Sequence, residues 1–448
     1  MQALSNRPFS NRELVKLLIP LMVESLLSLT VGLADSMMVA CLGEAAVSSV
    51  SIVDTVNVLL IDLFVSLATG GAIITGQYLG ARVMDRAQRS AEQLLLFMTV
   101  LSLLVTGAMY LLRRAILFGL FGTVEQNVLA NAMKYYGIVE LSIPFLAVYS
   151  AGAALFRVMG DSKTSMKISL YMNLINVLGN ALLILVFKWD VVGVAVPTLA
   201  SRVFAAAAVL WLLRNPSLTI NLSKGFRFSF ERKIVGQIIR IGVPNGIEGS
   251  MFQLGKILLV SVVARFGTTA IAANAVGNTL GAFHCLPGQA VGMAMITVVS
   301  QCVGCGNLED VRFYTRKMMW WSCLSMAAFN LLMLIPTPWI LDVYNLSPET
   351  WDLTWHICLT HAVWCMVLWS FSFTMPQALR ATGDTKYTMY ASSLSMWIFR
   401  LGCGVLLAVW GGFGVVGVWM AMYVDWVVRT LCFLIRWKNG KWKTKAVK

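Results

Sequence analysis

The chain has 448 residues, of which 58% are hydrophobic and only 12% carry a charged side chain, and its formal net charge is +14. Soluble domains carry about a quarter charged residues, so this composition excludes a water-soluble globule of this size. A net charge this positive is also common in nucleic-acid-binding proteins, but its distribution along the chain does not support that function.

Long apolar runs predict twelve membrane-spanning helices, because a helix needs about 20 apolar residues to cross the hydrocarbon core. In chain order the runs cover 14–40, 50–79, 91–111, 130–156, 164–187, 190–213, 233–263, 273–303, 318–341, 354–379, 388–410 and 412–435. The predicted fold class is therefore an all-α polytopic membrane protein. Nine cysteines are scattered mostly inside these runs and are expected to be small apolar packing residues.

The basic residues between the runs predict the orientation. If both termini are cytoplasmic, the cytoplasmic segments hold most of the Lys and Arg residues, and the opposite loops hold only Arg113, Arg114, Lys188 and Arg265. This asymmetry is the positive-inside rule. We therefore expect a multi-pass plasma-membrane protein with cytoplasmic termini and no nucleic-acid partner, whose basic tail contacts anionic membrane lipid.

The two halves of the chain match each other. Shifts of 224 and 223 positions superimpose Pro20 on Pro244, Glu24 on Glu248, Gly43 on Gly267, Arg157 on Arg380, and Gly160-Asp161 on Gly383-Asp384. The matches keep one order, so they indicate a duplication into two pseudo-symmetric six-helix lobes, 1–213 and 234–436. A cytoplasmic linker, 214–233, and a basic tail, 437–448, complete the predicted division. Repeated lobes suit alternating access, in which they rock around a site near the middle of the membrane.

With these residues in this order, the chain resembles the multidrug and toxic compound extrusion (MATE) transporters over nearly its whole length. The resemblance rests on Pro20 and Asp35, Leu42-Gly43, Gly70-Gly71-Ala72, Leu79-Gly80, Arg157 to Asp161, Asn173 to Asn180, Gly193-Val194-Ala195, Phe266-Gly267 and Arg380 to Asp384. It implies antiport, in which cationic or amphipathic organic compounds leave the cell as Na⁺ or H⁺ enters. We expect a monomeric carrier rather than an enzyme, with no cofactor besides the coupling ion.

Polar side chains inside the first lobe suggest where the ion binds. Asp35 lies near the outer end of the first span, and Asn176 and Asn180 lie one turn apart on the fifth. Thr198, on the antiparallel sixth span, falls at a similar depth. These oxygens suit a hard cation such as Na⁺, and a buried carboxyl can also accept a proton. The resemblance places a cation site at the same four residues; hydrogen bonding between helices is the alternative.

Three further residues are assigned to the substrate cavity: Glu24, its repeat mate Glu248, and Asn173. The alternative for the two acids is helix packing against a base, and Lys256 is a candidate for Glu248. On the last span the i,i+4 spacing of Asp425 and Arg429 predicts a salt bridge.

His356 and His361 are expected to be interfacial residues near the start of the tenth span. Phe252 and Trp369 stand where some MATE proteins carry acids, so a cation site in the second lobe is not expected.

Three other functions compete with drug antiport. A flippase or exporter of a lipid-linked or saccharide substrate, from the same superfamily, would keep the carrier architecture, but such branches often have extra spans or a more basic cavity. A membrane-embedded enzyme would need a catalytic constellation at one face, which the sequence does not show. A channel is the third alternative, but two duplicated lobes with one off-axis polar cluster are poorly suited to forming a pore.

Overall fold

The computed structural model describes residues 8–121, 125–222 and 229–444. Parts of the predicted linker and basic tail, including Lys224, Arg227 and 445–448, lie outside these residues, as does Arg7 at the start of the chain. Within the described ranges the regular structure is helical throughout, and no strand occurs.

Seven helices make up the first half. They are α1 (Asn11–Ala40), α2 (Glu44–Gly80), α3 (Met84–Phe121), α4 (Gln126–Val139), α5 (Ile143–Val158), α6 (Ser162–Ala181) and α7 (Val192–Leu212). A short 3₁₀ turn, Glu140–Ser142, joins α4 to α5 into one crossing, and a π-helical turn, Leu182–Val186, ends α6. Each of the six spans predicted for this half therefore corresponds to a helix, or to the joined pair α4 and α5, in the structure.

Ten helical pieces make up the second half. They are α8 (Arg232–Val263), α9 (Gly267–His284), α10 (Leu286–Gly304), α11 (Leu308–Leu334), α12 (Thr337–Val343), α13 (Pro348–Trp364), α14 (Met375–Ala381), α15 (Thr385–Ser395), α16 (Cys403–Val405) and α17 (Gly414–Lys438). Three π-helical segments interrupt the later crossings, at Cys365–Thr374, Met396–Gly402 and Leu406–Trp410.

The predicted number of membrane crossings is confirmed for the described residues. Eleven helices are long and apolar enough to cross a membrane, and the count reaches twelve when α11 and α12, bent by 51°, form one crossing. Some helices extend beyond their apolar runs: α3 covers Met84–Phe121, whereas the run covered 91–111. The reason is that a helix satisfies its own backbone hydrogen bonds and can continue past the hydrocarbon.

The duplication is visible in the backbone. Gly43 and Gly267 both open a helix with left-handed φ, 96° and 86°, and Gly160 and Gly383 share a φ of 90°. Residues with a side chain rarely adopt this conformation, so glycine at these turns is required by the fold. The π turn Leu182–Val186 likewise has its repeat mate at Leu406–Trp410.

The described chain divides into two compact units. The N-terminal unit is Val15–Gly246, and the C-terminal unit contains the remaining described residues. Each has its own apolar core, around Val53, Tyr136 and Ala195 in the first and around Met326, Trp369 and Trp426 in the second. The limits given above for lobes, linker and tail remain a prediction.

Candidate functional site: a polar cluster in the N-terminal unit

Helices α6 and α7 approach each other closely at Gly179. A Cβ atom on this glycine would lie 2.7 Å from Cβ of Pro197 on α7. Only a residue without a side chain permits this spacing, because real Cβ atoms do not come so near another carbon. The close contact brings Asn176 on α6 within 3.1 Å of Thr198 Oγ1 on α7, and Asn180 lies one turn further along α6.

Asp35 on α1 completes the cluster. Asn180 Nδ2 donates a hydrogen bond of 2.8 Å to Asp35 Oδ1. Asn180 is fully buried, and its own Oδ1 has no hydrogen-bond partner among the described residues. A buried acceptor without a donor is costly, so this oxygen is available to a cation or a proton donor.

The amide of Asn176 can be placed in two ways, related by a half-turn. With its nitrogen toward Asp35 it donates to both carboxylate oxygens, at 2.9 and 3.0 Å, and its oxygen accepts from Thr198 Oγ1 at 3.1 Å. With its oxygen toward Asp35, Nδ2 donates to Thr198 instead, and Asn180 donates to Asn176 Oδ1 at 3.4 Å. The second placement sets amide and carboxylate oxygens against each other, which is stable only with a cation or proton between them.

Asp35, Asn176 and Thr198 line a cavity of about 600 Å³ within the same unit, and Asn180 is buried behind them. Asn173 also lines it, and donates a weak 3.5 Å hydrogen bond to Ser169. The structure therefore places Asn173 in the wall of the same cavity as Asp35, Asn176 and Thr198. Glu24 and Glu248, which the sequence grouped with Asn173 in a substrate cavity, lie in different surroundings.

The cavity is also lined by Asp54, Asn57, Tyr135 and Arg202, to which the sequence had assigned no role. Tyr135 hydrogen-bonds to Asp54, which also lies near enough to interact electrostatically with Asp35. Arg202 donates to Ser142 Oγ at 2.7 Å and attracts Asp54. For Asp54 and Arg202 the signal that could have found them is a charged residue inside an apolar run, which is functional by default.

Glu24 and Glu248 each pair with the arginine of their own half. In the N-terminal unit, Arg157 lies 3.3 Å from Glu24. In the C-terminal unit, Arg380 lies 2.6 Å from Glu248, and both side chains are about one-tenth exposed. Arg380 is thus a base that packs against Glu248. The attraction of either acid for a cationic substrate is offset by this partner.

The C-terminal unit has its own cavity, of about 480 Å³, with Glu248 in its wall. Five aromatic residues line it, and they are Phe252, Trp369, Phe373, Trp419 and Trp426. Its other charged lining residues are the bases Lys256, Arg380 and Arg400. The lining therefore combines flat apolar surfaces with more positive than negative charge.

A buried carboxylate stabilises one side of this region. Asp425 is fully buried and accepts a 2.8 Å hydrogen bond from Arg429, which confirms the predicted i,i+4 salt bridge. Arg400 lies 4.0 Å from the same carboxylate. Its Nε has no hydrogen-bond partner among the described residues, so its charge is only partly compensated.

The two histidines of α13 differ in environment. His356 is exposed and lies near Asp352. The interfacial assignment is wrong for His361, which is 4% exposed and stacks on His284. Its ring also meets Trp419 and Trp426 edge to face, because this side of α13 faces the aromatic core rather than the lipid boundary.

Several known proteins are similar to this chain over nearly its whole length. The MatE family model matches twice, at residues 20–182 and 244–406. The second match is shifted from the first by the same 224 positions that superimpose Pro20 on Pro244. The "Probable multidrug resistance protein NorM" of Thermotoga maritima is 25% identical over 451 residues, covering 98% of this chain and 95% of that protein. The "Uncharacterized transporter YisQ" of Bacillus subtilis is 23% identical over 96% of this chain and 94% of its own.

Solved structures show the same fold. An outward-facing multidrug resistance MATE family transporter of the MOP superfamily superimposes with a TM-score of 0.89 at 19% identity, covering 99% of this chain and 98% of that one. A MATE crystal structure in the bent conformation gives 0.85 at 20% identity, with 96% of both chains covered. The resemblance found in the sequence is confirmed: the chain belongs to the MatE family of multi-pass membrane transporters.

Proposed function

We propose that this protein is an antiporter that exports cationic or amphipathic organic compounds in exchange for Na⁺ or H⁺. The observation that carries the proposal is the hydrogen-bonded cluster of Asp35, Asn176, Asn180 and Thr198, three of which line the 600 Å³ cavity: Asp35, Asn176 and Thr198. An intramembrane acid with unused oxygen acceptors around it is a site for a small cation.

The two placements of the Asn176 amide suggest how the site responds to its ion. Without an ion, the Asn176 nitrogen donates to the Asp35 carboxylate and satisfies it. With Na⁺ bound, or with Asp35 protonated, the amide turns its oxygen toward the carboxylate. Binding therefore changes the hydrogen bonds between α1, α6 and α7, which is the differential contact that ion-coupled movement requires.

The aromatic cavity of the C-terminal unit supports the amphipathic part of the substrate prediction. Its tryptophan and phenylalanine side chains offer flat apolar surfaces, and a few polar groups among them can orient a ligand. Because Arg380 offsets Glu248 while Lys256 and Arg400 add positive charge, this cavity suits neutral or partly anionic aromatic groups better than strongly cationic ones.

The location and working unit complete the proposal. The positive-inside pattern supports a plasma-membrane protein with both termini cytoplasmic and membrane lipid around it. We propose that a monomer suffices, with alternating access provided by its duplicated halves, and that no cofactor beyond the coupling ion takes part.

Transport by the purified protein in liposomes tests the function. Proteoliposomes preloaded with a fluorescent aromatic compound are given an inward Na⁺ gradient, an inward H⁺ gradient or neither, and release is followed with time. Release driven by one gradient identifies the ion. Equal release in all three conditions would contradict antiport, and empty liposomes control for leakage.

A further inference from the structure

Two cysteines and a histidine meet inside the C-terminal unit. Cys285 Sγ lies 3.9 Å from Cys365 Sγ, and Cys365 Sγ lies 3.6 and 3.7 Å from the two ring nitrogens of His361. One ligand atom from each of the three residues falls within 4.8 Å of the others. We propose that Cys285, His361 and Cys365 bind a thiophilic d¹⁰ cation, Zn²⁺ or Cu⁺.

The spacing of the ligand atoms fits a single ion. Zinc bonds are about 2.3 Å to sulfur and 2.0–2.1 Å to nitrogen, which in a tetrahedral site separates two sulfurs by roughly 3.8 Å and a sulfur from a nitrogen by roughly 3.6 Å. The observed separations of 3.9 and 3.6–3.7 Å match these values. The two separations made by Cys365 therefore match a single ion, and the third, between Cys285 and His361, is within 4.8 Å.

A second histidine provides an independent indication. His284 Nδ1 lies 3.1 Å from His361 Nδ1, the two rings are stacked, and His284 is fully buried. Metal-binding histidines usually donate their second ring N–H to an acceptor, which fixes the ring and the tautomer. If His284 Nδ1 accepts from His361 Nδ1–H, the Nε2 lone pair of His361 is left for the ion. His284 is thus a positioning residue.

Both thiols lie where regular helix ends. Cys285 separates α9 from α10, and Cys365 is the first residue of the π segment that follows α13. Such π-helical turns occur frequently at functional sites. Cys285 and His361 also border the 480 Å³ cavity, so an ion has a path to the site and a position open toward the cavity.

The charges around the cluster suit this class of ion. Zn²⁺ with two thiolates and a neutral imidazole has no net charge, which avoids the cost of burying a charge in an apolar interior. Cu⁺ with the same ligands would carry one negative charge, and the nearby Arg400 interacts electrostatically with both Cys285 and His361. Soft thiolate ligands select these cations over Mg²⁺ or Ca²⁺.

Metal titration of the purified full-length protein tests the proposal, and it does not depend on transport. The protein is reduced, stripped with a chelator, and titrated with Zn²⁺ in competition with a chromophoric zinc chelator; a separate anaerobic titration uses Cu⁺ and its own chelator. We expect one ion per wild-type chain in at least one titration. Cys358→Ser, which removes another buried thiol of α13, should bind equally.

Variants of the cluster should separate ligands from the positioning residue. The double variant Cys285→Ser/Cys365→Ser should lose stoichiometric binding. His284→Gln should keep the stoichiometry but weaken affinity by about 10–100-fold, as loss of a partner to a metal-bound histidine does. Failure of the wild type to bind either ion, or binding by the double variant as tight as that of the wild type, would overturn the proposal.

Thiol alkylation of the wild type tests the same site without relying on variants that could misfold. Bound ion should slow maleimide labelling of Cys285, measured by mass spectrometry, and leave exposed Cys41 unchanged. Unchanged labelling of Cys285 at a saturating ion concentration would equally refute the site.

Discussion

Replacing Asp35 by Asn should abolish ion-coupled transport while leaving the protein folded. The substitution keeps the size and shape of the side chain, and an amide oxygen at this position can still accept the hydrogen bond from Asn180. What it removes is the negative charge and the proton-binding group, so the variant isolates the electrostatic contribution of this carboxylate.

The size of the effect follows from the geometry. The carboxylate oxygens lie 2.9 and 3.0 Å from the Asn176 amide, so a cation shared between these groups is within about 4 Å of the full negative charge. At an effective dielectric constant of about 20, that attraction is worth roughly 4 kcal/mol. Since about 1.4 kcal/mol corresponds to a factor of ten, cation affinity should fall by two to three orders of magnitude.

The assay is gradient-driven release of the same fluorescent aromatic compound from proteoliposomes that contain equal amounts of inserted protein. Asp190→Asn is the matched control, because Asp190 is a half-exposed acid that pairs with Lys134 outside the cluster. Size-exclusion profiles and thermal unfolding establish that both variants are folded. Normal gradient-driven efflux by Asp35→Asn would refute the assignment of this residue.

The remaining predictions concern packing and buried charge, and thermal unfolding in detergent measures both. Gly179→Ala should lower the free energy of unfolding by about 1–3 kcal/mol and impair coupled transport, because the new methyl group meets Pro197 on α7. The control is Gly107→Ala, which has open space around it and should be neutral or slightly stabilising. Glu248→Gln should cost about 3–5 kcal/mol by leaving Arg380 buried without its partner. Glu24→Gln should cost less, since that pair is longer and more exposed; equal losses would contradict this reasoning.

Much of the fold was predictable because the controlling signals are local. Apolar runs gave the crossings, and repeated glycines and prolines gave the duplication. The contacts among Asp35, Asn176, Asn180 and Thr198 could also be predicted from positions along the chain. Helical spacing places the two asparagines on one face, and residues equally far from the short loop between two neighbouring helices lie at similar depth. The ion itself remains a prediction.

Contacts between residues far apart in sequence were not predictable in this way. Arg157 and Arg380, each in the last turn of its helix, pair with acids more than 130 positions earlier in the chain. Cys285 and Cys365 are 80 residues apart, and no short motif connects them. The burial of His361 likewise depends on which side of α13 faces the core.

The π segment Met396–Gly402 has a consequence for how the two halves diverged. Between Lys163 and the π turn at Leu182, and between their mates Lys386 and Leu406, the spacing differs by one residue, since the repeat offset changes from 223 to 224. A π turn encloses one residue more than an α turn. Within a membrane an inserted residue cannot be left unbonded, so the widened helix retains the insertion. The one-residue difference between the halves therefore lies in the stretch that contains this segment, and Arg400 within it has a different helical register from its counterpart on α6.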